Sequence, residues 1–371
     1  MLPKTINKFI KKEYSLLLTI SLYIILNIFK TQIDPNNINS LLSSLISIII
    51  FAFLLICSMN VVKHADWLSE KFGEPYGTII LTLSVVCIEA GLIMTIMLTG
   101  KGEPSLARDA MFSVMMIAVN GLCGVSLICG GLKYKNQRYN LEGANAFLAI
   151  LIPIFTICLI MPSFTKTTQD GTLSTFQSII VIVICLILFG TFLIKQTITH
   201  KGYFHFSATE QEVEHKKPIG SVLYNFIILV IGLTTIILLS KNMAVFLEYK
   251  ITKASLPYQL SGFIVALLVL TPEGISAIKS AAKNELQKSI NLCIGSAVAS
   301  ICLTIPAVLI LSMIFHHKVV LGLDNISIML LVLTFFTCVI TFSAKKTSML
   351  YGMIMTSMFI LYVALIFDGV Y

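Results

Sequence analysis

The chain has 371 residues, 57% of them hydrophobic and only 12% charged, more apolar surface than a soluble domain of this size could hide. Its net charge of +8 comes from Lys and Arg scattered through short loops, with no basic run interleaved with aromatics, so composition gives no case for nucleic-acid binding. Nine cysteines (Cys57, Cys87, Cys123, Cys129, Cys158, Cys185, Cys293, Cys302 and Cys338) fall almost entirely in apolar segments without a CxxC, which argues against a disulfide framework and a thiolate metal site.

The apolar runs are about 17–25 residues long, enough to cross roughly 30 Å of hydrocarbon as helices. The alternating ten-residue segments of a membrane barrel are absent. The reading is an all-α polytopic membrane protein with eleven transmembrane helices. Lys4, Lys8, Lys11 and Lys12 precede the first apolar run, Tyr14 to Phe29, in the manner of a secretory leader. That run leads into KTQIDPNN without a small-residue cleavage site, so an uncleaved helix is expected at 14–30. Further spans are expected at 39–62, 77–99, 110–132, 146–161, 174–195, 220–240, 256–280, 286–315, 325–343 and 347–367. Most of the 26 Lys and Arg lie in segments on the side of the N-terminus, which predicts a cytoplasmic N-terminus.

The longest polar stretch, at 196–219, divides the chain. The predicted organisation is an N-terminal segment with the first helix (1–38), a five-helix repeat (39–195), a cytoplasmic linker (196–219) and a second five-helix repeat (220–371). Five is odd, so two such copies must insert in opposite directions, as inverted repeats. The halves also resemble each other. Pro75-Tyr76 leads into ILTLSVVCIEAG, with Glu89, and Pro257-Tyr258 leads into IVALLVLTPEG, with Glu273. In the following spans Ser113, Asn120 and Gly124 share the spacing of Ser289, Ser296 and Ser300, and Asp109 and Glu285 stand four residues before each set. Such spacing keeps each set on one helix face. Small polar residues also line ordinary helix contacts in membranes, a reading that stays open for Ser113 and Ser289.

A carboxylate at the bilayer centre costs a few kcal/mol on the gentlest scale. Two of them close together cannot both stay ionised and empty; both are protonated, or both surround a cation. Exchange between those states is cation/proton antiport, and a divalent ion such as Ca²⁺ matches the doubly ionised pair in charge. Calcium wants six to eight hard oxygens. The candidate donors are Glu89 and Glu273 with Thr271, Asn120, Ser296 and backbone carbonyls, one of them freed by Pro272. A second cluster, VVKHADWLSEKFGEPYG, holds His64, Asp66, Glu70 and Glu74 in an expected interfacial loop. It reads either as a water-facing segment anchored by Trp67 or as a cytoplasmic vestibule or regulatory element built on His64, Asp66 and Glu74. In the linker, Glu210, Glu212, Glu214, His200, His205 and His215 read as a solvated segment or as a sensor of cations or pH. A passive cation channel is the alternative function, although no filter-like sequence supports it. No nucleophile–base pair or paired His/Asp metal motif supports an enzyme. No cofactor is called for; the expected partners are protons, cations and the bilayer, and nothing indicates an oligomer.

The stretch VVKHADWLSEKFGEPYGTIILTLSVVCIEAGLI resembles the bacterial ChaA-type calcium/proton antiporters, in the Ca²⁺/H⁺ exchanger branch of the Ca²⁺/cation antiporter superfamily. So do ALLVLTPEG and NLCIGSAVASICLTIPAV. The resemblance runs from about residue 45 to the end. It implies eleven helices in two inverted five-helix repeats, a bacterial inner-membrane location, and exchange of Ca²⁺, and of Na⁺ or K⁺, for protons. It also implies that Glu89 and Glu273 are the two central acids, and that Gly295-Ser296 is the family's Gly-Ser. The chain departs from the wider family at Val86 and Leu270, where that family has Asn three residues before each Glu, and in a linker reduced to three glutamates.

Overall fold

The computed structural model describes residues 13–368 apart from Lys30, Gln32, 74–75, 100–102, Gln169 and 205–220. Among the described residues nine helices are long and apolar enough to cross a membrane: α2 (Ser40–Phe72), α3 (Tyr76–Thr99), α4 (Leu106–Tyr134), α5 (Leu141–Phe164), α6 (Thr175–Thr199), α7 (Val222–Ala254), α8 (Gln259–Ala282), α9 (Leu286–Phe315) and α11 (Met349–Asp368). Two shorter apolar helices, α1 (Tyr14–Ile28) and α10 (Asn325–Thr341), fall where the sequence predicts spans.

Two helices overrun their expected ends. α2 continues to Phe72, so the segment holding His64 and Asp66 is helix, not the loop expected from the end of the apolar run. The reason lies in its period. Cys57, Val61, His64, Ala65 and Leu68 are buried at three- and four-residue intervals, while Lys63, Glu70 and Lys71 face outward. α7 likewise runs to Ala254, through buried Met243, Ala244, Phe246, Leu247 and Ile251, and stops at Ser255 in the left-handed conformation. After α2 the chain reverses on Gly73 (φ +64), and Gly77 sits against the Ser69 backbone, where a Cβ would overlap its carbonyl oxygen. The expected linker begins later than predicted, since α6 runs to Thr199 and a helical turn follows at Lys201–Phe204.

By packing, the helices fall into two units, each drawing on both sides of the linker. The first holds α1, α2, α3 and α7. Within it α2 and α7 run antiparallel. Lys250 near the end of α7 donates to the Ser40 carbonyl (2.7 Å) and to Ser44 Oγ (2.6 Å) at the start of α2. At the other end, His64 of α2 meets Asn225 of α7. Gly232 lets α7 close onto Val61, and Gly91 lets α3 close onto Ile237.

The second unit holds α4–α6 and α8–α11. Its centre is α4, with 78% of its apolar stretch buried. α8 runs parallel to α4: Gly262 lies against Asp109 and Ala110, Gly274 against Leu122, and the Ala282 carbonyl accepts from Lys133 and Tyr134. α11 runs the other way, with Tyr362 at Ser113 and Met349 at Gly131. α4 widens to a π-helix over Met116–Cys123. Strand β1 (Asn136–Arg138) pairs antiparallel with β2 (Lys346–Ser348), Gln137 opposite Thr347. Side-chain caps close several helix starts: Asn140 on α5, the Ser174/Gln177 capping box on α6, Ser221 on α7 and Asp324 on α10.

The α4–α8 contact predicts a matched pair of variants. A Cβ at Gly262 would stand 2.6 Å from the Ala110 nitrogen, whereas one at Gly190 meets nothing within 4 Å. Gly262→Ala should destabilise the protein by about 1–3 kcal/mol through overpacking. Gly190→Ala should be neutral or slightly stabilising. Thermal unfolding in detergent checks this; equal unfolding temperatures for the two variants would contradict the close approach.

Candidate functional site

Glu89 sits in the middle of α3 and is fully buried. Around it along the helix Val85, Val86, Ile88, Ala90, Leu92 and Ile93 are buried too. Ser84 is no helper: its hydroxyl donates to the Ile80 carbonyl at 2.7 Å.

Glu273 is half-buried, and its helix continues through Pro272. Proline has no N–H to give the carbonyl of Leu268, four residues back. Hydroxyls trim the backbone on either side. Thr271 Oγ1 donates to the Leu267 carbonyl (2.5 Å) and Ser276 Oγ to the Pro272 carbonyl (3.2 Å). From α9 the Cys293 thiol lies within electrostatic reach of Glu273, and the hydroxyls of Ser289 (α9) and Ser126 (α4) stand beside that thiol. Ser296, three residues beyond Cys293, shares its helix face and is half-buried.

The other predicted donors turn elsewhere. Asn120 lies in the π-helical stretch of α4, and its amide donates to Thr334 Oγ1 of α10 at 2.8 Å. Leu122, two positions on, is the residue that meets α8. Residues two apart do not share a helix face, so Asn120 looks away from that contact. Its Oδ1 is buried with no hydrogen-bond partner among the described residues. Ser113 donates to the Asp109 carbonyl and faces Tyr362 Oη at 2.6 Å. Thr271 stands two residues from Glu273 and is held to its own helix.

The second predicted cluster divides. His64 is 1% exposed, its ring between Glu13 and Asn225. Asp66 is half-buried on the same helix. Glu74 lies outside the described residues, as do His205, Glu210, Glu212, Glu214, His215 and the lysines before residue 13. His200 is exposed beside Thr199. Sequence reasoning missed Glu13, Tyr224 and Asn225. The available signal was a polar residue inside or bordering each apolar run.

Among the described residues no three His, Cys, Asp or Glu side chains gather to hold a metal. What Glu273 has near it in the chain is hydroxyl and carbonyl oxygen, the hard donor set that suits Ca²⁺, Na⁺ or K⁺.

Residues 40–197 and 224–367 match the family described as sodium/calcium exchanger protein, well over half of the chain. The chain belongs to that family. It is a family of exchangers and not of enzymes. Among its relatives, the sodium-potassium/proton antiporter ChaA of Escherichia coli (strain K12) is 35% identical over 362 residues, 96% of each chain. The Ca²⁺/H⁺ antiporter ChaA of Bacillus subtilis (strain 168) is 24% identical over 249 residues, 67% of each chain. Among solved structures, the Ca²⁺/H⁺ antiporter protein YfkE superposes with a TM-score of 0.74 at 17% identity, covering 96% of this chain and 98% of that one. The H⁺/Ca²⁺ exchanger CAX gives 0.64 at 15% identity, covering 96% and 89%. The fold is therefore shared with both.

The different burial of the two acids gives a prediction in this family member. A lipid-soluble carbodiimide, which attacks protonated carboxyls, should label Glu273 several-fold faster than Glu89. Peptide mapping by mass spectrometry reads the two rates, and equal labelling would contradict the difference in exposure.

Proposed function

We propose that this chain is a secondary active cation/proton antiporter of the bacterial inner membrane, in which protons and a cation compete for Glu89 and Glu273 under alternating access. The observation that carries the reading is the placement of these acids. Each sits in the second helix of its proposed five-helix repeat, one fully and one half buried. A carboxyl so enclosed is cheap in only two forms, neutral with its proton or ionised against a cation. Loading the cation therefore expels protons, and that exclusion is the coupling.

The repeat organisation belongs to the same proposal: eleven transmembrane helices, an extra α1 followed by two inverted five-helix repeats. Its first members are α2 and α7, and inversion requires them to run in opposite directions. The contacts of Lys250 with Ser40 and of His64 with Asn225 fit that requirement. The family match also falls in two stretches, one in each sequence half. The N-terminus is placed on the cytoplasmic side by the distribution of Lys and Arg.

For the ion we propose Ca²⁺, with Na⁺ or K⁺ also carried. Two ionised carboxylates match a divalent charge, and Ser296 and backbone carbonyls near Pro272 supply neutral oxygens of the right hardness. A monovalent ion fits the same pair with one proton retained. The apolar Val86 and Leu270 one turn before each acid leave the site short of amide donors, which favours loose selectivity, and the 35%-identical relative is named for sodium and potassium. Asn120 enters only through Oδ1, and Thr271 only as a spare hydroxyl lone pair.

Purified protein in proteoliposomes with an imposed pH gradient tests the reading. Wild type should drive Ca²⁺ uphill and, less well, Na⁺ or K⁺. Glu89→Gln and Glu273→Gln should each lower exchange at least 100-fold while leaving membrane insertion intact. Cation movement that only follows its own gradient would point to a channel, and wild-type exchange by either variant would refute the role of the acids.

A further inference from the structure

Away from both acids, a polar cluster is built into the first packing unit. His64 stands on the last turns of α2, between the residue that precedes α1 and the first turn of α7. The Asn225 amide nitrogen is committed to the Ser221 carbonyl (2.9 Å), so the atom facing His64 Nδ1 at 2.7 Å is Oδ1, an acceptor. On the other side Glu13 Oε2 lies 3.2 Å from Nε2. Glu13 is 1% exposed. Burial alone would raise its carboxyl, but hydrogen bonds from His64 and Tyr224, the charge of His64 and the Asn60 amide outweigh that and hold it at about 2. It is thus ionised, taking the Tyr224 hydroxyl on Oε1 at 2.6 Å and accepting only. The imidazole meets an acceptor at each nitrogen. The hydrogen-bond pattern closes only when both nitrogens carry a proton.

We propose that His64 is a second proton-binding site of this protein, a buried imidazolium that ties the head of α1 to α2 and α7 and lets it go when the proton leaves. The tie is specific to the cluster. Asn60 of α2 also reaches Ser15 of α1 at 2.8 Å, and the Tyr224 ring stands 6.2 Å from the imidazole. Among the described residues, the other titratable groups beside these positions are Tyr14 of α1 and Lys63 of α2, both exposed, and half-buried Asp66 of α2; α3 brings exposed Tyr76.

Loss of one proton leaves a ring nitrogen's lone pair facing an acceptor oxygen and removes the buried carboxylate's countercharge. A buried charge without its partner is strongly destabilising. The two partners bound the useful range from opposite sides. The Glu13 contribution is present above its ordinary value of 4.5 and is lost as the pH falls through about 2. The His64 contribution is present while the ring carries both protons and is lost when one leaves. Seating of α1 therefore follows the pH of whichever side this end faces. None of this uses Glu89 or Glu273, so its failure would leave the transport reading untouched, and the reverse.

The test is nitrogen-15 spectroscopy of the full chain in detergent micelles, with histidine labelled. Near neutral pH one of the six imidazoles should carry protons on both nitrogens in slow exchange with water. That signal should vanish in His64→Gln and become a singly protonated ring in Glu13→Gln. In parallel, wild-type unfolding temperature should drop by several degrees once the doubly protonated ring signal is lost on raising the pH, and the drop should be missing in Glu13→Gln. Should His64→Gln not fold, the wild-type spectrum and Glu13→Gln decide alone. A His64 ring protonated on one nitrogen near neutral pH, or the same alkaline drop in wild type and Glu13→Gln, would overturn the proposal.

Discussion

A carboxyl group sealed among apolar side chains has almost no freedom of state. In water an ionised acid is free to stand alone; at Glu89, fully enclosed in α3, it is not. In the proposed antiport it holds a proton or a cation in turn, with the rest of the protein supplying the means of changing one for the other. Glu273 lives under a looser version of the same constraint. Half-buried beside Pro272 in α8, it stands near hydroxyls and a backbone carbonyl that has lost its helix donor.

The scaffold that imposes this constraint is made by small residues at helix crossings. Gly262 and Gly274 bring α8 onto α4, and Gly232 and Gly91 bring α7 onto α2 and α3. In a membrane the lipid is as apolar as the core, so close packing of this kind holds helices together where hydrophobic burial cannot. The polar ties fall at the helix ends: Lys250 on Ser40 and Ser44, the Ala282 carbonyl on Lys133 and Tyr134, and the Glu13–His64–Asn225 cluster.

Much of the helix layout is legible in the sequence because length and apolarity dominate. Each expected span from 14–30 to 347–367 has a helix at its place. What a hydropathy reading loses is whatever depends on period instead of average. The tail of α2 is polar by composition, yet its buried stripe Val61, His64, Ala65 and Leu68 continues the helix to Phe72. The same blindness affects the donors. Spacing puts Ser113, Asn120 and Gly124 on one ideal face, but the π-helical stretch Met116–Cys123 inserts an irregularity, and the three residues meet α10 and α11. Thr271 stands two residues from Glu273 and gives its hydroxyl proton to the Leu267 carbonyl, which spacing alone does not show. The Glu13 cluster is invisible from one segment, since its members lie about 50 and 160 residues apart in the chain and only packing joins them.

The central claim is that binding a cation displaces protons from Glu89 and Glu273. It is tested most directly by calorimetry of Ca²⁺ binding to the solubilised protein, in buffers of different ionisation enthalpy. The account predicts release of close to two protons per Ca²⁺ near neutral pH, falling by about one in Glu89→Gln and again in Glu273→Gln. Ca²⁺ binding with no proton release, or with release unchanged in both variants, would contradict it.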